Sequence, residues 1–117
     1  MDQKKVAMFV FNGDAMCFVH IVLNVLDMKE KGYDVRVVLE GGATRLVRDL
    51  DDENAKLHTQ YVRLKESGLI DCVCRSCAYT MGTLDDAEEQ GLPLCGDLKG
   101  HPSISRYIEN GYEVLVF

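Results

Sequence analysis

The run VAMFVF, residues 6–11, decides the fold of this 117-residue chain. It is apolar at every position, follows Lys4 and Lys5, and is ended by Asn12 and Gly13. A strand that is apolar at every position is covered on both faces, which is typical of parallel sheets flanked by helices. The run therefore predicts a parallel α/β arrangement with this strand inside it.

Helices and strands are expected to alternate after this first strand. Asp14 or Asn12 can cap a helix over residues 15–31, and Gly32 ends it. Further helices are expected over residues 43–50, 54–66, 76–82, 83–90 and 102–109, and further strands over 34–39, 69–74, 92–95 and 113–117. Pro93 suits an edge strand, and Thr83 with Asp86 forms a capping-box pattern. The alternation predicts one domain, a three-layer α/β/α sandwich around a five-stranded, mostly parallel sheet.

The first helix carries more apolar surface than one sheet can cover. Its polar side chains His20, Asn24, Asp27 and Lys31 form a single narrow stripe, and apolar residues surround them. Burial on more than one side is therefore expected, most simply by another subunit. We predict a homo-oligomer.

The overall charge excludes some classes of partner. The chain has a formal net charge of −6, and nucleic-acid binders normally carry a clustered basic face. The longest apolar stretch, residues 15–26, is too short to span a bilayer. We therefore expect no nucleic acid and no membrane, and we expect a cytoplasmic protein. Its odd number of cysteines, five, is expected to stay as thiols in a reducing compartment.

Three cysteines fall in the segment DCVCRSC, residues 71–77. Cys74 ends the predicted third strand, where the first turn of the next helix and the charge of Arg75 favour a thiolate. Thiolates are the nucleophiles of disulfide and persulfide chemistry. Cys77 is expected one helical turn away, within reach of Cys74. These two cysteines are the predicted catalytic residues, and Arg75 is the predicted stabiliser of the anion.

The other cysteines have a simpler explanation, because free cysteine is among the most buried residue types. Cys72, Cys17 and Cys95 are therefore interpreted as small hydrophobic side chains. Zinc is the main alternative for the cluster, with Cys95 and His101 as third and fourth ligands beside the one CxxC pair, or with Cys72, Cys74, Cys77 and Cys95 together. No metal or other cofactor is included in the main prediction.

A second group of candidate binding residues lies where other strands end. Asn12 and Gly13 follow the first strand, and Gly41 and Gly42 follow the second. Carboxyl ends of parallel strands are where such folds bind ligands. His101 precedes a helix and is the histidine expected to act as a proton partner. The glycines do not form a GxGxxG motif, so a nucleotide is not expected.

In these residues the chain resembles the DsrE/DsrF-like family, which includes the DsrEFH, TusBCD and YchN-like proteins. The resemblance rests on the turn VVLEGGA at residues 37–43, on Cys74 eight residues before Gly82, and on the ending GHPSISRYIENGYEVLVF, residues 100–117. It implies a five-stranded parallel sheet, assembly as dimers, trimers or hexamers, and sulfur held as a cysteine persulfide. Donor and acceptor proteins are then the implied partners.

Two functions follow as expectations. The first is a sulfur carrier in intracellular sulfur transfer, at most a sulfurtransferase-like enzyme, with a persulfide on Cys74 and Cys77 as a resolving or second carrier thiol. The alternative is an oligomeric module that binds a metal or small ligand and whose thiols are incidental. Cys72 and Cys77, which flank Cys74, leave room for metal or disulfide chemistry.

Overall fold

The computed structural model describes residues 3–117 and is built on one sheet with the strand order β4-β3-β2-β1-β5, all parallel. The strands are β1 (Lys5–Val10), β2 (Asp34–Leu39), β3 (Ile70–Cys74), β4 (Leu94–Cys95) and β5 (Glu113–Val116). The α-helices are α1 (Ala15–Glu30), α2 (Leu46–Asp49), α3 (His58–Glu66), α4 (Arg75–Met81), α5 (Leu84–Glu89) and α6 (Ile104–Glu109). A 3-10 helix, Gly41–Arg45, joins β2 to α2.

The first strand lies inside the sheet, as its apolar run predicts. Its neighbours are β2, paired from Lys5 with Asp34 to Val10 with Leu39, and β5. Alternate side chains enter two separate cores, Met8 among those on one face and Phe9 among those on the other. The α/β fold with a five-stranded parallel sheet is therefore confirmed.

The two faces of the sheet are covered unequally. Helices α1 to α5 contribute buried side chains to the larger core, among them Phe18 and Tyr61. On the other face only α6 contributes a helical side chain to the core of the described residues, namely Tyr107. Its ring packs perpendicular to that of Phe9, with centroids 5.3 Å apart. The third layer of the sandwich is thus a single short helix.

The first helix is capped by Asp14, whose side chain accepts the backbone N–H groups of Met16 and Cys17. Its outer surface leaves large apolar side chains exposed, including Met16 and Leu23. This surface fits the expectation from the sequence that one sheet face does not cover the whole helix. Cys17 is exposed, so its interpretation as a buried hydrophobic residue is wrong.

Several predicted boundaries need correction. Residues 54–57 form turns rather than helix, because the Asp52 carboxylate accepts the N–H of Asn54 and holds the chain in a turn. Thr83 does precede α5, but its hydroxyl donates to the Thr44 carbonyl at 3.1 Å instead of capping the helix. Strand β4 is shorter than predicted, yet it forms an edge of the sheet, as Pro93 suggests.

The carboxyl ends of the strands meet at one edge, where the turns after β1 and β2 pack closely. A Cβ atom on Gly13 would lie 2.7 Å from the Gly42 carbonyl oxygen, so only glycine fits there. Within residues 3–117, no helix has the length and apolar character needed to cross a membrane.

Candidate functional site at the carboxyl edge of the sheet

Four side chains with chemically active groups meet at this edge. They are Glu40 after β2, Cys74 at the end of β3, Cys77 in α4, and His101 in the loop after β4. The Sγ atoms of the two cysteines lie 2.6 Å apart, and the Nδ1 atom of His101 is 3.3 Å from Cys74 and 3.7 Å from Cys77. One potential ligand atom from each of the four residues lies within 4.8 Å of the others. We call these four residues the edge cluster.

The junction of β3 and α4 places the two thiols together. Cys74 is both the last residue of β3 and the N-cap of α4, and its Sγ accepts the backbone N–H of Cys77 at 3.3 Å. The helix then ends at Gly82 in the left-handed conformation. The predicted contact between Cys74 and Cys77 is confirmed.

The loop of residues 96–101 brings His101 to the thiols. Leu98 and His101 exchange two backbone hydrogen bonds, and the Gly100 carbonyl accepts the N–H of Ser76 at 2.9 Å. A Cβ atom on Gly100 would lie 2.0 Å from the Ser76 Oγ, and the φ of this glycine is +91°. A side chain at residue 100 would displace the Ser76 hydroxyl and strain the backbone, so glycine favours the docking of this loop on α4. His101 therefore lies beside both cysteines, and its role as a proton partner stays a prediction.

Cys74 differs from the sequence prediction in its ionisation. Its side chain is fully buried, and this burial, together with the S–H that it donates to Cys77, raises the pKa of the Cys74 thiol to about 12. The backbone N–H of Cys77 acts in the opposite direction but does not outweigh burial. The prediction that the end of the strand favours a thiolate at Cys74 is therefore wrong. Cys77 is half-buried and is the more accessible thiol.

Arg75 does not act as predicted either. Its side chain is exposed and lines a shallow cleft of about 330 Å³ with Tyr79 and Leu84, on the outer surface of α4. No hydrogen bond or ion pair joins it to another of residues 3–117. Because Arg75 is the first residue of α4, its side chain points away from the end of β3.

Glu40 is the member of the edge cluster that sequence reasoning missed. It is 6% exposed, and burial raises the pKa of its carboxyl to about 7. Across the described residues, no hydrogen bond or ion pair reaches this carboxylate. Its position directly after a buried strand, beside the position of Cys74 at the end of the neighbouring strand β3, was the available signal.

The remaining predicted binding residues shape the same edge through backbone contacts. The Asn12 side chain accepts the N–H of Asp14, and the Asn12 N–H donates to the Phe117 carbonyl. Gly13 contacts Gly42, and Gly41 has a φ of +53° at the start of the 3-10 helix. The four residues Asn12, Gly13, Gly41 and Gly42 therefore shape the turns at this edge. Their role in binding a ligand stays a prediction.

The structure pairs Cys72 with Cys95 in a disulfide between β3 and β4. Their Cα atoms are 5.6 Å apart, a separation usual for disulfides, because neighbouring strands place them on the same face. The expectation that all five cysteines are thiols is therefore wrong, as is the interpretation of Cys72 and Cys95 as unlinked hydrophobic residues. Neither cysteine is free to act as a zinc ligand. The donor set for a metal is instead the edge cluster, with two sulfurs, one nitrogen and one carboxylate.

The described fold is shared with solved proteins of unknown function. The structure of BT1422 from Bacteroides thetaiotaomicron superposes on this chain with a TM-score of 0.74 and 17% sequence identity. The match covers 97% of this chain and 95% of the BT1422 chain. The structure of MTH1491 from Methanobacterium thermoautotrophicum superposes with a TM-score of 0.72 and 17% sequence identity. That match covers 98% of this chain and 100% of the MTH1491 chain. These similarities define the class of protein by its fold, a parallel α/β domain.

Sequence comparison defines the family. The chain is 32% identical over 96 residues to the uncharacterised protein MJ0733 of Methanocaldococcus jannaschii, covering 82% of this chain and 76% of that protein. An uncharacterised Archaeoglobus fulgidus protein is 65% identical over 37 residues, which are 32% of this chain and 100% of that protein. The chain belongs to the same family as MJ0733. No family model matches it.

Proposed function

We propose that the protein is a sulfur carrier whose Cys74–Cys77 pair accepts a sulfane sulfur and passes it on. The observation that supports this most directly is the pair of thiols 2.6 Å apart, with an imidazole nitrogen within 3.7 Å of both. Thiols in contact can exchange a sulfur atom, and the imidazole can accept the proton that must leave first. The resemblance to sulfur-relay proteins implies the same chemistry.

Cys77 is the point of entry, because it is half-buried whereas Cys74 is fully buried. Its thiolate attacks the terminal sulfur of a persulfide on a donor protein. A new S–S bond forms on Cys77, the S–S bond of the donor breaks, and the donor cysteine leaves as a thiolate. The number of S–S bonds is unchanged, so no oxidant or reductant is consumed.

Cys74 takes the sulfur in a second exchange. Its thiol transfers a proton to the Nδ1 atom of His101, 3.3 Å away, and the resulting thiolate attacks the outer sulfur on Cys77. The S–S bond moves to Cys74, and Cys77 becomes a thiolate again. Burial then shelters the persulfide until an acceptor protein collects it by the reverse route through Cys77.

The partners follow from this chemistry. Donor and acceptor proteins must contact the surface that exposes Cys77 and His101. The carrier is proposed to be cytoplasmic, with the buried Cys72–Cys95 disulfide persisting there beside the reduced Cys74–Cys77 pair, and to be a homo-oligomer through the apolar surface of α1.

Sulfur loading tests the proposal. Protein reduced mildly, then treated with inorganic polysulfide and desalted, is analysed by intact mass and by peptide mapping. The native chain is expected to gain one sulfur atom on the Cys74–Cys77 pair. Cys77→Ser is expected to load far more slowly, and Cys74→Ser to load but lose the sulfur rapidly to added thiol. The matched control is Cys17→Ser, which removes an exposed thiol that is not part of the pair and should load normally.

Two results would contradict the carrier function. One is sulfur added only at Cys17, with the Cys74–Cys77 pair unmodified. The other is immediate release of hydrosulfide with formation of a Cys74–Cys77 disulfide, since that behaviour belongs to a thiol oxidoreductase rather than to a carrier.

A further inference from the structure

We propose that the reduced edge cluster is a zinc site in which Glu40, Cys74, Cys77 and His101 are the four ligands. These residues come from three separate segments of the chain, with Cys74 and Cys77 in the same one, and meet at one edge of the sheet. The inference goes beyond the carrier function, because it adds a ligand and a residue, Glu40, that the sulfur exchange does not use.

Two of the distances between ligand atoms already suit a tetrahedral ion, and the others, which reach up to 4.8 Å, require small side-chain movements. Zinc bonds of about 2.0 Å to nitrogen or oxygen and about 2.3 Å to sulfur place neighbouring ligand atoms roughly 3.3 to 3.8 Å apart. The two sulfur-to-nitrogen distances, 3.3 and 3.7 Å, already lie in that range. The two sulfurs, at 2.6 Å, must separate by about 1 Å. Cys77 is half-buried at the surface, so its side chain has room for this rotation.

The carboxylate of Glu40 gives a second, independent reason. It is buried, and in the described structure it has neither a hydrogen-bond donor nor a cation beside it. A carboxylate with so little access to water is costly to ionise, and a divalent cation bound by the four groups, whose ligand atoms lie within 4.8 Å of one another, would offset that cost. No Lys or Arg of residues 3–117 supplies the charge instead.

The donor set also selects the ion. Two sulfurs and an imidazole favour zinc over calcium and magnesium, which prefer oxygen ligands. Four protein ligands complete a tetrahedron and leave no open position, which is the arrangement of a structural or protective site rather than a catalytic one. Each cysteine binds as a thiolate, so zinc binding releases protons.

Zinc binding and sulfur loading therefore exclude each other. The sulfur atoms that would bind the metal are the same atoms that exchange sulfane sulfur, and a sulfur bonded to zinc is not free to attack a persulfide. Zinc would hold the pair reduced and inactive until it is removed by an acceptor of higher affinity.

The test is a zinc titration of reduced, chelator-stripped protein against a chromophoric competitor, with Co²⁺ in place of zinc as a spectroscopic probe. One zinc per chain is expected, together with the visible absorption of tetrahedral, thiolate-bound cobalt. Glu40→Gln and His101→Ala are each expected to weaken zinc binding at least about tenfold. The matched controls Glu53→Gln and Cys17→Ser alter an exposed carboxylate and an exposed thiol, and should bind as the native chain does.

The outcomes separate the two proposals. Less than stoichiometric zinc in the native chain, or undiminished binding by folded Glu40→Gln, would overturn the zinc site. Native protein that binds zinc but never loads sulfur would contradict the carrier function alone. Polysulfide treatment of the zinc-loaded protein should add no sulfur at the pair, and rapid loading without loss of zinc would overturn the inference that the two states exclude each other.

Discussion

The two thiols of the edge cluster stand three residues apart and yet meet different surroundings. Cys74 closes a buried strand, so its sulfur loses contact with water, and this burial raises its pKa to about 12. Cys77 lies one helical turn further, where α4 reaches the surface. Reactivity toward molecules from solution is therefore expected to be highest at Cys77, whereas Cys74 depends on its neighbours.

Alkylation at controlled pH measures this difference. With iodoacetamide near neutral pH, Cys77 and Cys17 are expected to react before Cys74. Because only the thiolate reacts, the rate at Cys74 should rise about tenfold for each pH unit while the pH remains below its pKa. Peptide mass spectrometry of quenched samples follows each site. Reaction of Cys74 at neutral pH as fast as that of exposed Cys17 would contradict the assignment.

Glu40 makes the stability of the metal-free protein depend on pH. Burial raises the pKa of its carboxyl from 4.5 to about 7, so between these values the folded state binds more protons than the unfolded state. The free energy of unfolding should therefore fall as pH rises from 4.5 to 7, by at most about 3 kcal/mol, and level off above that range.

The Glu40→Gln variant lacks this carboxyl. Urea denaturation in the presence of a chelator is expected to show that it gains stability relative to the native chain as pH rises from 5 to 8. Glu53→Gln, an exposed glutamate, supplies the control. If the stability difference between Glu40→Gln and the native chain does not change with pH, the carboxyl is ionised normally in the folded protein.

Single residues were predictable where a local pattern fixes them. The CxxC spacing after a strand identified Cys74 and Cys77, and the position of His101 before a helix identified the imidazole. Glu40 was missed because a glutamate before two glycines reads as a turn, and its burial depends on β3 and α4, which lie far along the chain. The pairing of Cys72 with Cys95 depends on which strands are neighbours, and no local pattern shows that.

At the scale of elements, the loop of residues 96–101 determines whether the histidine reaches the thiols. Gly100 touches Ser76 at the start of α4, with a left-handed φ of +91°. Substitution at Gly100 therefore combines backbone strain with a steric clash, whereas most glycines of the chain would meet strain alone.

Gly100→Ala is expected to lower the free energy of unfolding by about 1 to 3 kcal/mol and to move His101 away from the cysteines. Gly91→Ala is the matched control, since Gly91 has a φ of +71° and nothing within 4 Å of an added Cβ atom. Thermal unfolding measures the first effect, and the pH dependence of Cys77 alkylation reports the second. Equal behaviour of the two variants would mean that the contact with Ser76 is unimportant.

The disulfide between Cys72 of β3 and Cys95 of β4 is a second contact that joins separate elements. The disulfide joins residues 23 positions apart, and a cross-link of that length restricts the unfolded chain by roughly 3 kcal/mol. The double substitution Cys72→Ser and Cys95→Ser should lower Tm accordingly, with Cys17→Ser as the control. Thiol counting on unfolded, unreduced protein tests the pairing directly, and five titratable thiols would contradict it.

Elements with a strong local signal agreed with the sequence. Strand β2 has the predicted bounds. Its β-branched residues favour a strand, and the charged residue before them and the glycine pair after them mark its two ends. The segment before α3 was predicted as helix because its leucines are spaced for one, yet Asp52 fixes a turn there. The competing side-chain hydrogen bond, rather than the apolar spacing, decides that segment.

For the whole molecule, the helices on the α1 side of the sheet leave apolar surface uncovered beside β1. A groove of about 500 Å³ runs between α1 and β5, and its lining includes Cys17, Ile21, Leu115 and Phe117. β5 is an edge strand, and Leu115 is 37% exposed. The predicted homo-oligomer would bury this surface, and the groove is where we expect the subunits to meet.

Leu115→Lys is therefore expected to shift the protein toward the monomer in analytical ultracentrifugation. Ile108→Lys places the same charge at an exposed isoleucine of α6, away from the groove, and should leave the assembly intact. A native chain that sediments as a monomer at all concentrations would refute the predicted oligomer.

The fold as a whole was predictable because apolar runs and helical segments alternate throughout, and that alternation admits few topologies. The thinness of the third layer was not predictable from the sequence, because it depends on which face of the sheet each helix packs against, and within residues 3–117 only α6 packs against the second face. The exposure of Leu115 on the edge strand β5, on the same face as α1, is likewise a property of the assembled sheet and has no counterpart in any local pattern.

The residues of the edge cluster lie far apart in the sequence, so all four come together only in the folded protein. In a denatured chain only the CxxC pair stays together, while the glutamate and the imidazole drift apart. A cobalt spectrum requiring all four groups would therefore appear only after the sheet has closed, and its growth during refolding would time the last step of assembly rather than the first.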